Sequence, residues 1–406
     1  MANEASPRPC CELRVTRRVT LPDPFKCARY RKTPELGPQI LFFSGGSALT
    51  ALSRTLKGYT HNSIHLITPF DSGGSSAKLR QAFAMPSIGD IRSRLMALAD
   101  ESLTGHPEIL QLFNHRLPND LPPGDLYRQL AALAEGNHPL LAAISNPMRS
   151  LIRNQLGYFR AAMPAGFDLC GASVGNLILA GGYLNNHHRL DPIIFLFSKL
   201  VNVQGTVRAL VSGDYHLGAE LRDGRCILGQ HRLTGKEEPV LDAPIEHLFL
   251  NQGLAGYAPT QVPLRNKNST LIAGADLICY PPGSFYSSLL ANLLPSGVGA
   301  AIAANGNPKV YIPNLGNDPE QLGMGVTQAI TILLHHLTRD APPDCRPEQV
   351  LNFVLLDRHA TGYRDLPTAE WLAQRGIVLI DTPLVTPASS PYYDADLLVA
   401  ALLALT

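Results

Sequence analysis

The chain has 406 residues, 45% apolar and 17% charged, with a formal net charge of +1 at pH 7. That length and balance suit one large core or two smaller ones and exclude disorder for most of the chain. A charge so near zero gives no electrostatic reason to expect a nucleic-acid or membrane-surface partner, and seven cysteines without a C-x-x-C pair predict reduced thiols and no zinc site.

Residues 1–38 are proline-punctuated and rich in Arg and Lys, with no sustained period; they predict an extension, draped on the surface and partly flexible. Their start, MANEASPRPCCELRVTRR, lacks the apolar stretch of a secretory leader, so a cytoplasmic setting is expected. From Gln39 the pattern changes. QILFF reads as a strand buried on both faces; it stops at Ser44-Gly45-Gly46-Ser47, and Leu49, Leu52 and Leu56 then recur at helical spacing. SIHLITPF (63–70) reads as a second strand, ending at Asp71-Ser72-Gly73-Gly74-Ser75-Ser76 before the helical AKLRQAF. In SIGDIRSRLMALAD, Ile91, Leu95 and Leu98 share a helix face and Asp90 is placed as the N-cap. Strand, small-residue turn and helix in repetition predict a mainly parallel sheet between helical layers.

Residues 100–165 read as helical with proline breaks, and the greasy PIIFLFSKL (192–200) is too short to span a bilayer. Between about 200 and 262 the runs VNVQGTVRALV, YHLGAELRDG and RCILGQHRL predict a β-rich insertion, with Asp223-Gly224 as a hairpin turn. The α/β rhythm resumes with ADLICY as a strand, PPGS as a turn and FYSSLLANLL as a helix. VYIPNL, FVLLD and IVLID read as further strands, and DLLVAALLAL as a closing helix. The expected organisation is an extension over 1–38 and a single α/β domain over 39–406, carrying the insertion.

Three turns share one layout: SGGS at 44–47, DSGGSS at 71–76 and PGS at 282–284. Each follows a predicted strand and opens a predicted helix, so each falls where ligand crevices form in open parallel sheets. Glycine lets backbone N–H groups approach a ligand, and a helix N-terminus adds unpaired donors and a positive dipole end. Any one such turn is explained by tight turning; three arranged alike favour binding of an anion, most naturally a phosphate or pyrophosphate. None is a G-x-G-x-x-G or G-x-x-x-x-G-K-[ST] fingerprint, and no flavin, NAD or zinc signature is present. Asp71, at a strand end, is a candidate for Mg²⁺, a ribose hydroxyl or a proton, and equally for a turn cap. Arg92, early in its helix, can fork onto phosphate.

Gly171-Ala172-Ser173-Val174-Gly175 fits the G-x-S-x-G nucleophile elbow, yet only FDLC precedes it and no HGGG-type loop is present. The favoured reading is a fourth βα junction, with Asn176 free to hydrogen-bond a ligand. The adjacent pairs His187-His188 and His335-His336 cannot chelate as i,i+4 pairs do.

Taken together, FFSGGSALTALSRTLK, DSGGSSAKLR, IGDIRSRLMALAD, GASVGNLILA, VNVQGTV with LRDG, ADLICYPPGSFYSSLLANLL and KVYIPNL resemble, in order, the motifs of the CofD superfamily of 2-phospho-L-lactate transferases. The DSGGSS and GDIR stretches look most like its YvcK branch, the gluconeogenesis factors. The resemblance implies a Rossmann-like, three-layer αβα fold with a nucleotide diphosphate across the glycine turns. In CofD-type enzymes it implies Mg²⁺-dependent transfer of a phospho-hydroxyacid from a guanosine diphosphate donor; in the YvcK branch, a UDP-sugar ligand and a regulatory role. By position it assigns Gly45, Gly46 and Ser47 to the first phosphate turn and Asp71, Gly73, Gly74, Ser75 and Ser76 to the second. It places Asn176 on the G-N-L asparagine and Gly283 and Ser284 on the P-G-S turn. The chain departs from the family at Ala48, usually Gly; at Ser72, usually a second aspartate; and at Ala172, usually His. A homo-oligomeric state is left open.

Overall fold

The computed structural model describes residues 18–102, 105–235 and 239–406, with Ser47 described by its backbone alone. Among the described residues eleven strands form two sheets. They are β1 (Ile40–Ser44), β2 (Ile64–Ile67), β3 (Thr206–Ala209), β4 (His216–Leu221), β5 (Cys226–Leu228), β6 (Ile245–Asn251), β7 (Pro259–Thr260), β8 (Leu277–Tyr280), β9 (Lys309–Tyr311), β10 (Phe353–Leu356) and β11 (Val378–Asp381). The larger sheet runs β11-β10-β9-β8-β1-β2-β3, and every pairing in it is parallel. The chain builds outward from β1 to β3, returns beside β1 as β8, and builds the other way. The order therefore reverses between β1 and β8, the place where open α/β sheets bind ligands.

β1 shows why both faces are covered. Its five residues are all buried, and successive side chains point to opposite faces. Ile40 and Phe42 pack with Leu49, Leu52 and Leu56 and with the closing helix Ala395–Ala404. Leu41 and Phe43 join the opposite core, which holds Leu217 and Leu248 of the smaller sheet and Leu333 of the helix Val326–Thr338. A third core under β2 and β3 fastens the helices Gly89–Leu98, Met148–Ala162 and Val174–Asn185. The Rossmann-like αβα architecture is as expected.

Three local expectations change. Residues 24–32 form a helix, capped by Asp23; the Lys26 ammonium donates to the carbonyls of Leu403, Ala404 and Thr406, where the dipole of the closing helix is negative. The part of the extension that is described is therefore docked. The run VNVQGTVRA does not belong to the insertion, because Thr206–Ala209 pairs with β2 at the edge of the main sheet; the smaller antiparallel sheet, β5-β4-β6-β7, starts at His216. FYSSLLANLL is a π turn over Phe285–Leu289 followed by a 3₁₀ turn over Leu290–Leu293. The N–H groups of Ser288 and Leu289 both reach back to Ser284 O, the second of these being the i→i−5 bond of a π turn, and the three amides before them bond to acidic side chains.

Candidate functional site

The carboxyl ends of β1, β2 and β8 enclose a cleft of about 260 Å³. Gly45 and Gly46 of the first turn, Asp71 and Gly73 of the second, and Gly283 and Ser284 of the third all line it. Each turn is held differently.

Buried Arg94 supports the first turn. Its guanidinium donates to Gly46 O at 3.1 Å, to Leu49 O at 2.9 Å and to the Ser53 hydroxyl at 2.5 Å, with Gly45 O at 3.4 Å. Burial lowers its pKa to about 10 against the opposing pull of Asp90, so it remains a cation beneath the turn at neutral pH. Gly45 and Gly46 are glycines because of what faces them: a Cβ on Gly45 would lie 2.5 Å from Ser288 Oγ, and one on Gly46 2.9 Å from Asp90 Oδ1.

Arg80 does the same for the second turn. It donates to Phe70 O and Asp71 O at 3.1 Å each, and through Nε and Nη2 to Asp214. His216 lies 3.1 Å from this guanidinium; burial and the adjacent cation push its pKa down to about 4, so it is neutral. Asp71 Oδ1 accepts the Gly73 N–H at 3.1 Å, the turn-capping role, while its carboxylate borders the cleft.

At the third turn the polarity is opposite. Phe285 N–H donates to Asp318, Tyr286 and Ser287 N–H donate to Glu320, and Gly283 N–H donates to Asn314 Oδ1. Glu320 is fully buried, and desolvation followed by the nearby Asp318 charge raises its pKa to about 8. These amides are satisfied within the protein, so this turn does not present the free helix end expected of it.

The remaining sequence-assigned residues lie elsewhere. Gly74 begins the helix Gly74–Phe83 at φ 47° and is exposed. Ser75 and Ser76 follow on that helix; Ser75 Oγ accepts from Asn176 Nδ2 at 3.2 Å. Asn176 is buried, and its Oδ1 has no partner among the described residues. Arg92 turns away from the cleft, donating to Phe113 O at 3.3 Å, with its pKa lowered to about 10 by burial and then by Arg116. The side chain of Ser47 lies outside the described residues. Ser173 is an N-cap, fully buried, accepting from Asn176 N–H; an isolated bridge to Arg116 precedes its helix instead of a strand, which corrects the βα-junction reading. Asp90 is not an N-cap, since Ile88 holds that position; its carboxylate lines the cleft.

Five polar cleft residues escaped the sequence reading: Ser93, Ser288, Gln230, His231 and Thr234. The last three come from a turn between β5 and β6. His231 Nδ1 lies 2.8 Å from Ser72 Oγ, and the same oxygen accepts the His231 N–H, which ties the insertion to the second turn and leaves the other ring nitrogen for a ligand. No arginine or lysine is among the described residues lining the cleft. Asp71 and Asp90 border the cleft together, a pair of carboxylates that fits a Mg²⁺ ion also taking phosphate oxygens, since such ions seldom use an all-protein cage.

The comparisons with known proteins agree with this frame. Residues 40–384 match the family model described as 2-phospho-L-lactate transferase CofD. A putative gluconeogenesis factor from Nostoc is 30% identical over 81% of this chain and 57% of its own length; the gluconeogenesis factor of Bacillus subtilis is 30% identical over 74% of this chain and 75% of its own. The chain thus spans little more than half of the Nostoc relative. A crystal structure of a UPF0052-family protein from Bacillus halodurans superposes with a TM-score of 0.65, covering 90% of this chain and 99% of that one at 23% identity, and so shares the fold. With the glycine turns gathered at the switch point of a sheet of this order, the chain belongs to the CofD family.

Proposed function

We propose that the chain binds a nucleoside diphosphate derivative, of the UDP-sugar kind, with its pyrophosphate in the cleft, and serves as a regulator of carbon or cell-envelope metabolism in the cytoplasm. The observation that carries this reading is the meeting of the Gly45-Gly46 and Asp71–Gly73 turns in one polar crevice at the β1/β8 reversal. Mg²⁺ held by Asp71 and Asp90 would also take the pyrophosphate oxygens, the usual way such an ion combines one or two carboxylates with phosphate. The name shared by the Nostoc and Bacillus subtilis relatives supports the metabolic role. The test is a thermal-shift series with UDP-sugars, UDP and GDP, with and without Mg²⁺. A Mg²⁺-dependent rise in Tm with the ligand recovered intact supports the regulator, and no shift with any of them rejects it.

The second reading is a Mg²⁺-dependent transferase moving a phospho-hydroxyacid from a nucleotide diphosphate donor. Asp71 and Asp90 in the cleft favour it, as does the description of the matching family model. Release of GMP from a hydroxyacid–GDP donor, measured by chromatography with a deazaflavin acceptor, establishes it; an unchanged donor counts against it.

A further inference from the structure

A second chamber of about 530 Å³ lies beside the cleft, along the third turn. Ala48, Leu49, Pro282, Gly283 and Ser284 border both spaces, so the two adjoin. The chemistry differs between them. The cleft presents Asp71, Asp90, His231 and serine hydroxyls; the chamber is walled mainly by hydrocarbon and rings, including Leu52, Leu315, Leu398, Tyr392 and Tyr393. Tyr393 is fixed, donating to Pro313 O at 2.6 Å with its oxygen 2.7 Å from the Tyr363 hydroxyl. Tyr392 is instead 67% exposed, a large ring left open on the wall of an apolar space. It lies beyond residue 384, where the match to the family model stops, so the family likeness does not account for it.

We infer that this chamber receives the heterocyclic base of the nucleoside diphosphate, with Tyr392 as its stacking platform; the inference rests on the cleft holding the phosphates, as proposed above. A base is flat, mostly apolar on its faces and polar at its edge, and any base can stack on an aromatic ring. Asn317, exposed at the rim, carries an amide that can both donate and accept toward such an edge. A sugar would set several hydroxyls against hydrocarbon here, which is unfavourable without partners. The non-nucleoside end of the ligand therefore belongs on the opposite side, beside Asp71 and His231.

The experiment is calorimetric titration of the full chain in Mg²⁺ with UDP, GDP, ADP and inorganic pyrophosphate, using wild type, Tyr392→Ala and Ala395→Trp. Ala395 borders the chamber and not the cleft, so the indole fills base space alone, and circular dichroism melts check that both variants are folded. Each variant is expected to weaken nucleoside diphosphates by about ten-fold or more and to leave pyrophosphate unchanged. Unaltered nucleoside diphosphate affinity in both variants overturns the inference while the phosphate cleft stands. Wild type that binds pyrophosphate as tightly as any nucleoside diphosphate also overturns it, because no base is then held. Wild type that binds none of the four ligands removes the cleft's function and this inference together.

Discussion

Under the first two turns a buried arginine grips the carbonyl side of the backbone: Arg94 at Gly46 and Leu49, Arg80 at Phe70 and Asp71. At the third turn Asp318, Glu320 and Asn314 take the amide side. The two designs have opposite electrostatic consequences. A guanidinium behind a turn adds positive charge beneath the glycines that face the cleft, whereas carboxylates on a helix start cancel the donors an anion would use. Three turns that look alike in sequence thus divide into two held from the carbonyl side and one whose amides are satisfied within the protein.

Removing a clamp is the most severe way to break this contrast. Arg94→Ala leaves the carbonyls of Gly46 and Leu49 without their buried donor, and stability should fall by about 3 kcal/mol or more in chemical denaturation. Gly45→Val comes next: its Cβ would meet Ser288 Oγ at 2.5 Å, costing about 1–3 kcal/mol by overpacking and abolishing any nucleotide-induced rise in Tm. At the third turn the effect is one of pH. The carboxyl of Glu320 is raised to about 8 by burial, so the folded state holds that proton more tightly than the unfolded chain. The stabilisation is complete below the ordinary carboxylate range and is lost as pH rises through about 8. Tm measured from pH 5 to 9 should therefore fall more steeply in wild type than in Glu320→Gln. The smallest change is expected for Asp71→Asn, which retains the acceptor for Gly73 N–H. Its stability should stay within about 0.5 kcal/mol of wild type, while the Mg²⁺-dependent part of ligand binding disappears.

The strands β1, β2 and β8 and their turns were legible because each of these buried runs ends in a Gly/Ser cluster, a local signal. The arginine clamps were missed, although a trace exists. Arg94 shares the helical face of Ile91, Leu95 and Leu98, and Arg80 follows Leu79 on the buried side of its helix. A cation inside an apolar stripe marks a buried salt bridge or carbonyl clamp. No comparable trace marks Gln230, His231 and Thr234, because their arrival depends on how the smaller sheet folds back, a long-range event. The same holds for the acceptors at the third turn: the carboxylates that take its amides come from residues 318 and 320, well downstream in the chain. Arg92 was misplaced because a position early in a helix fixes its height along the axis and not the direction it faces; Phe113 O claims it.

β1 is laddered on both sides, to β2 and to β8, and every one of its residues is buried. Each of its amides lies in one of the two ladders and under both covering layers, so exchange at Leu41–Phe43 should track global unfolding. The Gly45-Gly46 corner is thereby anchored to the slowest-exchanging part of the molecule. The His231 turn has no such double ladder beneath it and reaches the cleft from the smaller sheet, fastened there through Ser72.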